Sequence, residues 1–233
     1  MDEKSFTAGF LLYPRLTQLD LTAPFEVLSH MPGARCLLIA AGTVPVADAH
    51  GLAIVPTATF ADAPALDLIC VPGGPGTMRA AADPDTIAFV RHAAAAASWV
   101  TSVCTGSLIL GAAGLLRGKR ATCHWAYRHL LTQFAAIPVA ERVVEDGNII
   151  TGGGVTAGLD FALTLVARIG GRRAAELIQL GLEYDPAPPF DAGSPERAGA
   201  ALVESYLESM AGRIAERETM AVRLGSNINP RRD

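Results

Sequence analysis

The feature that most constrains the fold is a repeated order of short apolar strand, tight turn and helix. Apolar runs at residues 6–13, 66–71 and 100–103 each end at a turn, and a segment with helical apolar spacing follows. Strands that alternate with helices predict parallel pairing, because a parallel pair needs a long crossover connection. We therefore predict a doubly wound α/β fold, with a mostly parallel sheet flanked by helices.

The composition agrees with a sheet that is covered on both faces. Half of the residues (50%) are hydrophobic and only 18% are charged. A chain of 233 residues is long enough for one large core with a helical extension. We predict an α/β domain over residues 1–194 and a helical tail over 195–233 that packs on the domain or on a dimer partner. The tail is predicted to begin at Ser194 and Pro195, a cap followed by a favoured first helical residue.

Several classes of protein are disfavoured by charge, hydropathy and cysteine spacing. The net charge of -4 offers no basic surface for nucleic acid. No apolar stretch reaches the roughly 20 residues that cross a bilayer, and the acidic start leads into a strand rather than a signal peptide. Four cysteines without regular spacing and without a C-x-x-C pair predict neither a disulfide framework nor a zinc site. We expect a cytoplasmic protein with reduced thiols and no membrane partner.

Cys104 lies at the junction between the strand at 100–103 and a helical run at 107–116. A sharp turn there lifts the side chain out of the core and over the helix N-terminus, where backbone N–H groups favour a thiolate. Thr105 adds a hydroxyl beside the sulfur. We predict that Cys104 is a nucleophile. The alternative is a small buried hydrophobe, an interpretation that suits Cys36, Cys70 and Cys123.

Two further side chains are candidates for acid–base chemistry. Asp20 lies between Leu19 and Leu21, just before a helix predicted to open near Pro24 with Thr22 as its cap. A carboxylate among apolar residues is unfavourable unless it caps a helix, pairs or takes part in chemistry, so a catalytic role and a cap or loop role both remain open. His124 either orients or deprotonates Cys104, or is held by a backbone carbonyl beside Trp125.

Two glycine-rich turns follow strands. The turn at 72–76 has no Walker lysine and no dinucleotide-binding spacing, so we predict that Gly73 and Gly74 bring backbone N–H groups toward a ligand or the sulfur. A plain tight turn is the alternative. The second turn, at 151–158, is predicted to shape the pocket of Cys104. Ligand sites of doubly wound sheets lie at the carboxyl ends of the strands, so we expect Asp20, the Gly73–Gly74 turn and Cys104 to converge.

Five motifs carry a resemblance to a known family. They are QLDLT at 18–22, VPGG at 71–74, VCTGS at 103–107, ATCHW at 121–125 and TGGGVTAG at 151–158. In this order they resemble the DJ-1/PfpI superfamily, over residues 6–195. Within it the chain resembles the isocyanide hydratases, in Asp20, in Thr105, and in the segment at 183–190 that precedes a helical tail. Cys123, where threonine is expected, and Pro75 depart from the pattern.

The resemblance implies a flavodoxin-like fold, a homodimer, and addition of water to an isocyanide without metal or organic cofactor. It implies Cys104 as nucleophile, Asp20 as acid and base, and Thr105 as a group that positions water or substrate. Supporting roles in the pocket go to Gly73, Gly74, Gly153 and His124. Other functions within the superfamily stay open: amidase, peptidase or glyoxalase chemistry, a cysteine redox sensor, or a ligand-sensing domain of a regulator.

Overall fold

A seven-stranded sheet forms the centre of the structure, a computed structural model that describes residues 6–228. In chain order the strands are β1 (Phe6–Leu11), β2 (Ala34–Ala40), β3 (Val46–Ala47), β4 (Ala53–Ile54), β5 (Ala58–Thr59), β6 (Leu68–Val71), β7 (Trp99–Val103), β8 (Arg120–Ala121), β9 (Ile137–Pro138), β10 (Val143–Asp146) and β11 (Ile149–Gly152). The helices are α1 (Gln18–Ser29), α2 (Thr77–Ala82), α3 (Pro84–Ala96), α4 (Gly106–Ala112), α5 (Ala157–Gly170), α6 (Arg172–Gly181), α7 (Pro195–Ala198) and α8 (Ala200–Ile228), with a 3-10 helix at Trp125–Phe134.

The order of the strands confirms the predicted doubly wound topology. The sheet runs β10-β11-β7-β6-β1-β2-β5, and every neighbouring pair is parallel except the hairpin of β10 and β11. After β1 the chain builds outward through β2 and β5, and it then returns to place β6 on the opposite side of β1. This reversal leaves a crevice at the carboxyl ends of β1 and β6, where such sheets bind their ligands.

The central strands are apolar because both faces of the sheet are covered. All four residues of β6 are buried, as are the last four of β7. Helix α1 packs against α5, which also contacts α6, whereas α2 packs against α3 and α4. The C-terminal helix α8 lies on the 3-10 helix, α2 and α4. Over residues 6–228, none of the helices combines the length and the hydropathy that crossing a lipid bilayer requires.

Helix α1 begins earlier than the sequence pattern predicted. Its N-cap is Thr17, and Asp20 lies in the first turn instead of the preceding loop. The predicted cap, Thr22, is inside the helix and donates a hydrogen bond to the side-chain oxygen of Gln18 (2.8 Å). Pro24 is also internal; its missing N–H only removes the bond to the carbonyl of Asp20, near the start of the helix.

Two other helix boundaries differ from expectation because glycines interrupt the apolar pattern. Helix α4 ends at Ala112 instead of residue 116, and Gly114 follows with a left-handed φ of +78°. The C-terminal helix is not continuous from Pro195, because Gly199 (φ +79°) separates the short α7 from α8. The division into a domain at 1–194 and a tail at 195–233 stays a prediction, and its residues 1–5 and 229–233 lie outside the described part.

Candidate active site

Cys104 occupies the turn between β7 and α4, as the sequence predicted. Its φ of +58° lies in the left-handed region, which for a residue with a side chain costs roughly 1–3 kcal/mol. The surrounding structure enforces this conformation: the backbone N–H of Cys104 donates to the carbonyls of Gly152 (3.0 Å) and Gly153 (2.8 Å). The second glycine-rich turn therefore does reach the cysteine, as expected.

Gly106 explains why the turn can be so tight. A Cβ at this position would collide with the carbonyl oxygen of Val71, so only glycine lets α4 start directly against β6. One residue later, the hydroxyl of Ser107 donates to the carbonyl of Cys104 (3.3 Å). Cys104 is only 5% exposed and packs with the buried core, so the expectation that the turn lifts its side chain out of the core is wrong.

Asp20 meets Cys104 at the switch point of the sheet. The carboxyl group is fully buried and interacts with the Cys104 thiol, and its Oδ2 accepts a hydrogen bond from the backbone N–H of Gly73 (3.0 Å). The other oxygen, Oδ1, has no partner of good hydrogen-bond geometry among the described residues. One carboxyl oxygen is thus held by the protein, and the other is available for proton exchange.

Burial makes both acids of this pair weaker than usual. It raises the pKa of Asp20 to about 7, although hydrogen bonds from Cys104 and Gly73 act in the opposite direction. Burial, and then the charge of Asp20, raise the pKa of Cys104 well above its ordinary value. The expectation that the helix terminus alone yields a thiolate is therefore wrong for the resting site. The thiol and the carboxyl group share one proton near and above neutral pH.

The Gly73–Gly74 turn packs directly on the pair. A Cβ on Gly73 would collide with the backbone nitrogen of Thr105 and would lie 2.9 Å from Oδ2 of Asp20. Gly74 has a φ of +140°, a conformation that favours glycine, and its N–H donates to Oγ1 of Thr105 (3.0 Å). Both N–H groups predicted to face a ligand are therefore engaged, and the turn acts by holding Asp20 and Thr105.

Thr105 belongs to a buried hydroxyl network. Its Oγ1 lies 2.7 Å from Oγ1 of Thr77, and the Thr77 hydroxyl donates to the carbonyl of Gly74 (2.7 Å). The phenol of Tyr13 extends the network by donating to the carbonyl of Pro72 (2.8 Å). The Thr105 hydroxyl was expected to position water or substrate. In the structure it stabilises the glycine turn.

His124 has a local role, but its partner is a backbone N–H instead of the predicted backbone carbonyl. It caps the 3-10 helix: its Nδ1 accepts a hydrogen bond from the backbone N–H of Ala126 (3.3 Å). Burial, with a smaller effect of the Arg217 cation, lowers its pKa to about 4, so the imidazole is neutral at neutral pH. Within the described chain no hydrogen bond joins it to Cys104, so the structure does not support its action as a base on the sulfur.

A cavity of about 340 Å³ opens next to Cys123 and His124, and neither Cys104 nor Asp20 is among its lining residues. Its wall includes Cys123, His124, Trp125, Gly153 and Gly154. Gly153 was expected to leave room beside the sulfur, but a Cβ there would instead lie 3.4 Å from the carbonyl of Arg142. Within residues 6–228 no group of three or more His, Cys, Asp or Glu side chains is arranged to hold a metal ion, and all four cysteines are free.

Arg217 is a residue of this region that sequence patterns did not single out. It lies on α8, is buried, and its Nη2 donates to the carbonyl of Gly74 (2.6 Å). Its Cζ is 4.1 Å from the centre of the Tyr127 ring. In the sequence it is one of several charged residues of an amphipathic helix, and no motif surrounds it.

Comparison with known proteins gives consistent results. Residues 7–168 match the model of the DJ-1/PfpI family. The chain is 52% identical to an isonitrile hydratase of Pseudomonas putida over 223 residues, which cover 96% of this chain and 98% of the relative. The crystal structure of a ThiJ/PfpI family protein from Pseudomonas syringae superposes with a TM-score of 0.90 at 46% identity, covering 95% of this chain and 90% of that one.

A more distant relative is a transcriptional regulator. The HTH-type transcriptional regulator GbdR of Pseudomonas aeruginosa is 30% identical over 185 residues, which are 76% of this chain but only 50% of the regulator. The same α/β domain therefore occurs in proteins with unrelated roles, and the function must be argued from the site.

Proposed function

The chain belongs to the DJ-1/PfpI family, and from this premise we propose that it is an isocyanide hydratase, which adds water to an isocyanide to give an N-substituted formamide. The near full-length similarity to the Pseudomonas putida isonitrile hydratase supports this reaction, since isonitrile and isocyanide are names of the same group. The observation at the site that carries the proposal is the buried pairing of the Asp20 carboxyl group with the Cys104 thiol.

A thiol–carboxyl pair suits an isocyanide because the terminal carbon of this group must gain both a nucleophile and a proton. The Cys104 sulfur supplies the nucleophile and Asp20 supplies the proton, from groups that already exchange one proton with each other. Because its pKa is raised to about 7, the Asp20 carboxylate accepts the thiol proton more readily than an ordinary aspartate does, and it can then deliver that proton to the isocyanide carbon.

The first half of the reaction forms a covalent intermediate. The Cys104 thiolate forms a bond to the isocyanide carbon, and the proton of Asp20 is transferred to the same carbon. The product is a thioimidate, whose carbon carries the sulfur, one hydrogen and a double bond to nitrogen. Asp20 is left as a carboxylate, and no oxidant or further reactant is consumed.

The second half consumes water. As the water oxygen adds to the thioimidate carbon, Asp20 passes one water proton to the nitrogen. The carbon–sulfur bond then breaks while Asp20 takes the second water proton, so the formamide leaves and the thiolate and the protonated carboxyl group are restored. Gly73 and Thr105 contribute by keeping Asp20 in place against the sulfur.

We also propose that the protein is a cytoplasmic homodimer, as the family resemblance implies. Exposed apolar side chains support a second copy as partner: Leu180 is 78% and Phe190 80% exposed, and Leu202 and Tyr206 are exposed on the first half of α8. Free cysteines agree with a reducing compartment.

The test of the reaction is incubation with alkyl and aryl isocyanides, with formamide formation followed by mass spectrometry. Cys104→Ala should abolish turnover and Asp20→Asn should reduce it severely. Cys36→Ala, at a half-buried cysteine on β2, is the matched control and should retain activity. Intact-mass measurement after rapid quenching should show one isocyanide added to the wild type and none to Cys104→Ala. Turnover in Cys104→Ala at the wild-type rate would refute the proposal, as would a wild type inactive toward every isocyanide tested.

An oxidation sensor is a weaker candidate for the same cysteine. Sensor cysteines are accessible and have a lowered pKa, whereas burial raises the pKa of Cys104 and leaves its side chain 5% exposed. Titration with peroxide, followed by intact mass, distinguishes the two functions. We expect slow oxidation of Cys104 under conditions in which isocyanide turnover is rapid.

A further inference from the structure

Arg217 is a buried cation that lacks a carboxylate partner. The residue is 5% exposed, and within residues 6–228 it forms no ion pair. It donates a hydrogen bond to the carbonyl of Gly74 and makes a cation–π contact with Tyr127. Burying a guanidinium group in such surroundings is unfavourable unless its contacts compensate, so its place in the fold calls for an explanation.

The carbonyl that Arg217 contacts belongs to the turn that holds the reacting pair. Gly74 accepts hydrogen bonds from Arg217 and from the Thr77 hydroxyl, and its own N–H donates to Thr105. These hydrogen bonds fix the peptide groups on both sides of Gly74. The N–H of the preceding residue, Gly73, is thereby oriented to donate to Oδ2 of Asp20. A chain of direct contacts thus runs from α8 to the carboxyl group beside the sulfur.

The register of α8 is set by contacts that place Arg217 at this turn. Gly225 lies so close to the backbone carbonyl of Gln133 that a Cβ would collide with it. Glu218 pairs with His129 of the 3-10 helix through a 3.0 Å contact between the Oε1 and Nε2 atoms. Ala221, which lies between Glu218 and Gly225 in the chain, is fully buried. Tyr127 is on the same 3-10 helix, so α8 and this helix hold the guanidinium group from two sides.

We propose that Arg217 is a positioning residue, which reaches from the C-terminal helix to hold the Gly73–Gly74 turn and thereby aligns Asp20 and Thr105 with Cys104. Its effect on isocyanide turnover rests on the proposed function, whereas its effect on the environment of the Cys104 thiol does not. The proposal gives α8 a role in the active site, where sequence patterns indicated only an amphipathic helix.

The charge of Arg217 acts in the same direction as its hydrogen bond. Burial raises the pKa of Cys123 and of Tyr13, both of which are near the reacting pair, and the charge of the guanidinium group opposes this rise at both residues. The titratable groups that face Cys104 are Asp20, Cys123, Tyr13 and Tyr127, so Arg217 brings the opposite charge to a cluster of acids. Its removal should disfavour negative charge on the sulfur.

Three substitutions separate the contributions of Arg217. Arg217→Lys keeps a charge and a donor, Arg217→Gln keeps a donor alone, and Arg217→Met keeps neither. Arg223→Met, at an exposed arginine on the same helix, is the matched control. The readouts are kcat and KM with an isocyanide, the pH dependence of Cys104 alkylation by iodoacetamide with peptide mapping, and thermal unfolding.

We expect Arg217→Met to lower kcat by about a hundredfold, the order of loss caused by a small misplacement of catalytic groups, with little change in KM. Its alkylation profile should move to higher pH, Arg217→Gln should be intermediate, and Arg217→Lys should restore most of both properties. Arg223→Met should match the wild type.

The proposal is overturned if folded Arg217→Met keeps the wild-type kcat and alkylation profile, even when its melting temperature falls. If Arg217→Met does not fold, Arg217→Gln decides, because a kcat and an alkylation profile displaced from those of the wild type are expected there: wild-type values of both in folded Arg217→Gln would overturn the proposal. If the wild type fails to hydrate any isocyanide while the alkylation profile still shifts in Arg217→Met, the proposed reaction is wrong and the positioning role stands.

Discussion

Asp20→Asn should make the protein more stable at high pH while it severely reduces the proposed activity. The carboxyl group is fully buried, and its pKa is raised from 3.8 to about 7. A raised pKa means that the folded state favours the protonated form. The resulting stability is complete below pH about 4 and is lost as the pH rises through about 7. The full difference corresponds to roughly 4 kcal/mol of unfolding free energy, as an upper limit because Cys104 shares the proton.

The amide of Asp20→Asn is neutral at every pH of interest and still accepts the hydrogen bond from Gly73. We therefore expect the free energy of unfolding of the wild type to fall relative to that of Asp20→Asn between pH 5 and pH 8, by up to roughly 3 kcal/mol, because about two pH units separate pH 5 from the folded pKa of Asp20. Guanidinium chloride unfolding at half-unit pH intervals, fitted with a common m-value, measures this difference.

The control is Asp62→Asn. Hydrogen bonds from Thr59 hold the pKa of this carboxyl group below its ordinary value, so both folded and unfolded states are ionised throughout the interval. The stability difference between Asp62→Asn and the wild type should not change from pH 5 to pH 8. Parallel curves for the wild type and Asp20→Asn over the same interval would refute the argument that Asp20 is held largely protonated near neutral pH.

Three further predictions follow from the geometry of the site. The kcat/KM of the wild type should fall as the pH drops below about 7, because the Asp20–Cys104 pair then gains a second proton. Steady-state rates from pH 5.5 to 8.5 should show that Asp20→Asn loses this pH dependence and that His124→Asn retains it. Cys104→Gly should be more stable than Cys104→Ala by roughly 1 kcal/mol in urea unfolding, because glycine adopts the positive φ of this position without strain. As the control, Cys123 does not have a positive φ, so Cys123→Gly should be less stable than Cys123→Ala. Thr105→Val should lose roughly 1–3 kcal/mol of stability in the same assay, with a lower kcat, because the N–H of Gly74 is left buried without its partner.

The elements that local sequence specifies were predicted well. The strands β6 and β7 follow from apolar runs that only a doubly covered sheet can bury, and the turn at Cys104 follows from an abrupt change of periodicity followed by a glycine. Asp83 directly before Pro84 is another such local start signal, and in the structure its side chain accepts a hydrogen bond from the N–H of Thr86 (2.9 Å) at the start of α3. These features depend on residues that are neighbours in the chain.

Helix boundaries were less predictable where two local signals compete. Thr22 and Pro24 form a good start signal, yet α1 begins at Gln18. The earlier start places Asp20 on the first turn, from which its carboxyl group reaches Gly73 of a distant loop. The start of α1 is thus accompanied by a contact between Asp20 and Gly73, which are 53 residues apart in the chain. The residues of α1 alone did not indicate this start.

The alternation of strands and helices, the turn at Cys104 and the convergence of Asp20, Gly73 and Cys104 follow from the amino-acid pattern, because periodicity and the topology of parallel sheets place these groups at one edge. The burial of Cys104, the protonation of the pair and the reach of Arg217 were decided only by tertiary structure. Each depends on how much water is excluded and on which atoms approach from remote segments, and neither quantity is encoded in the spacing of residues along the chain.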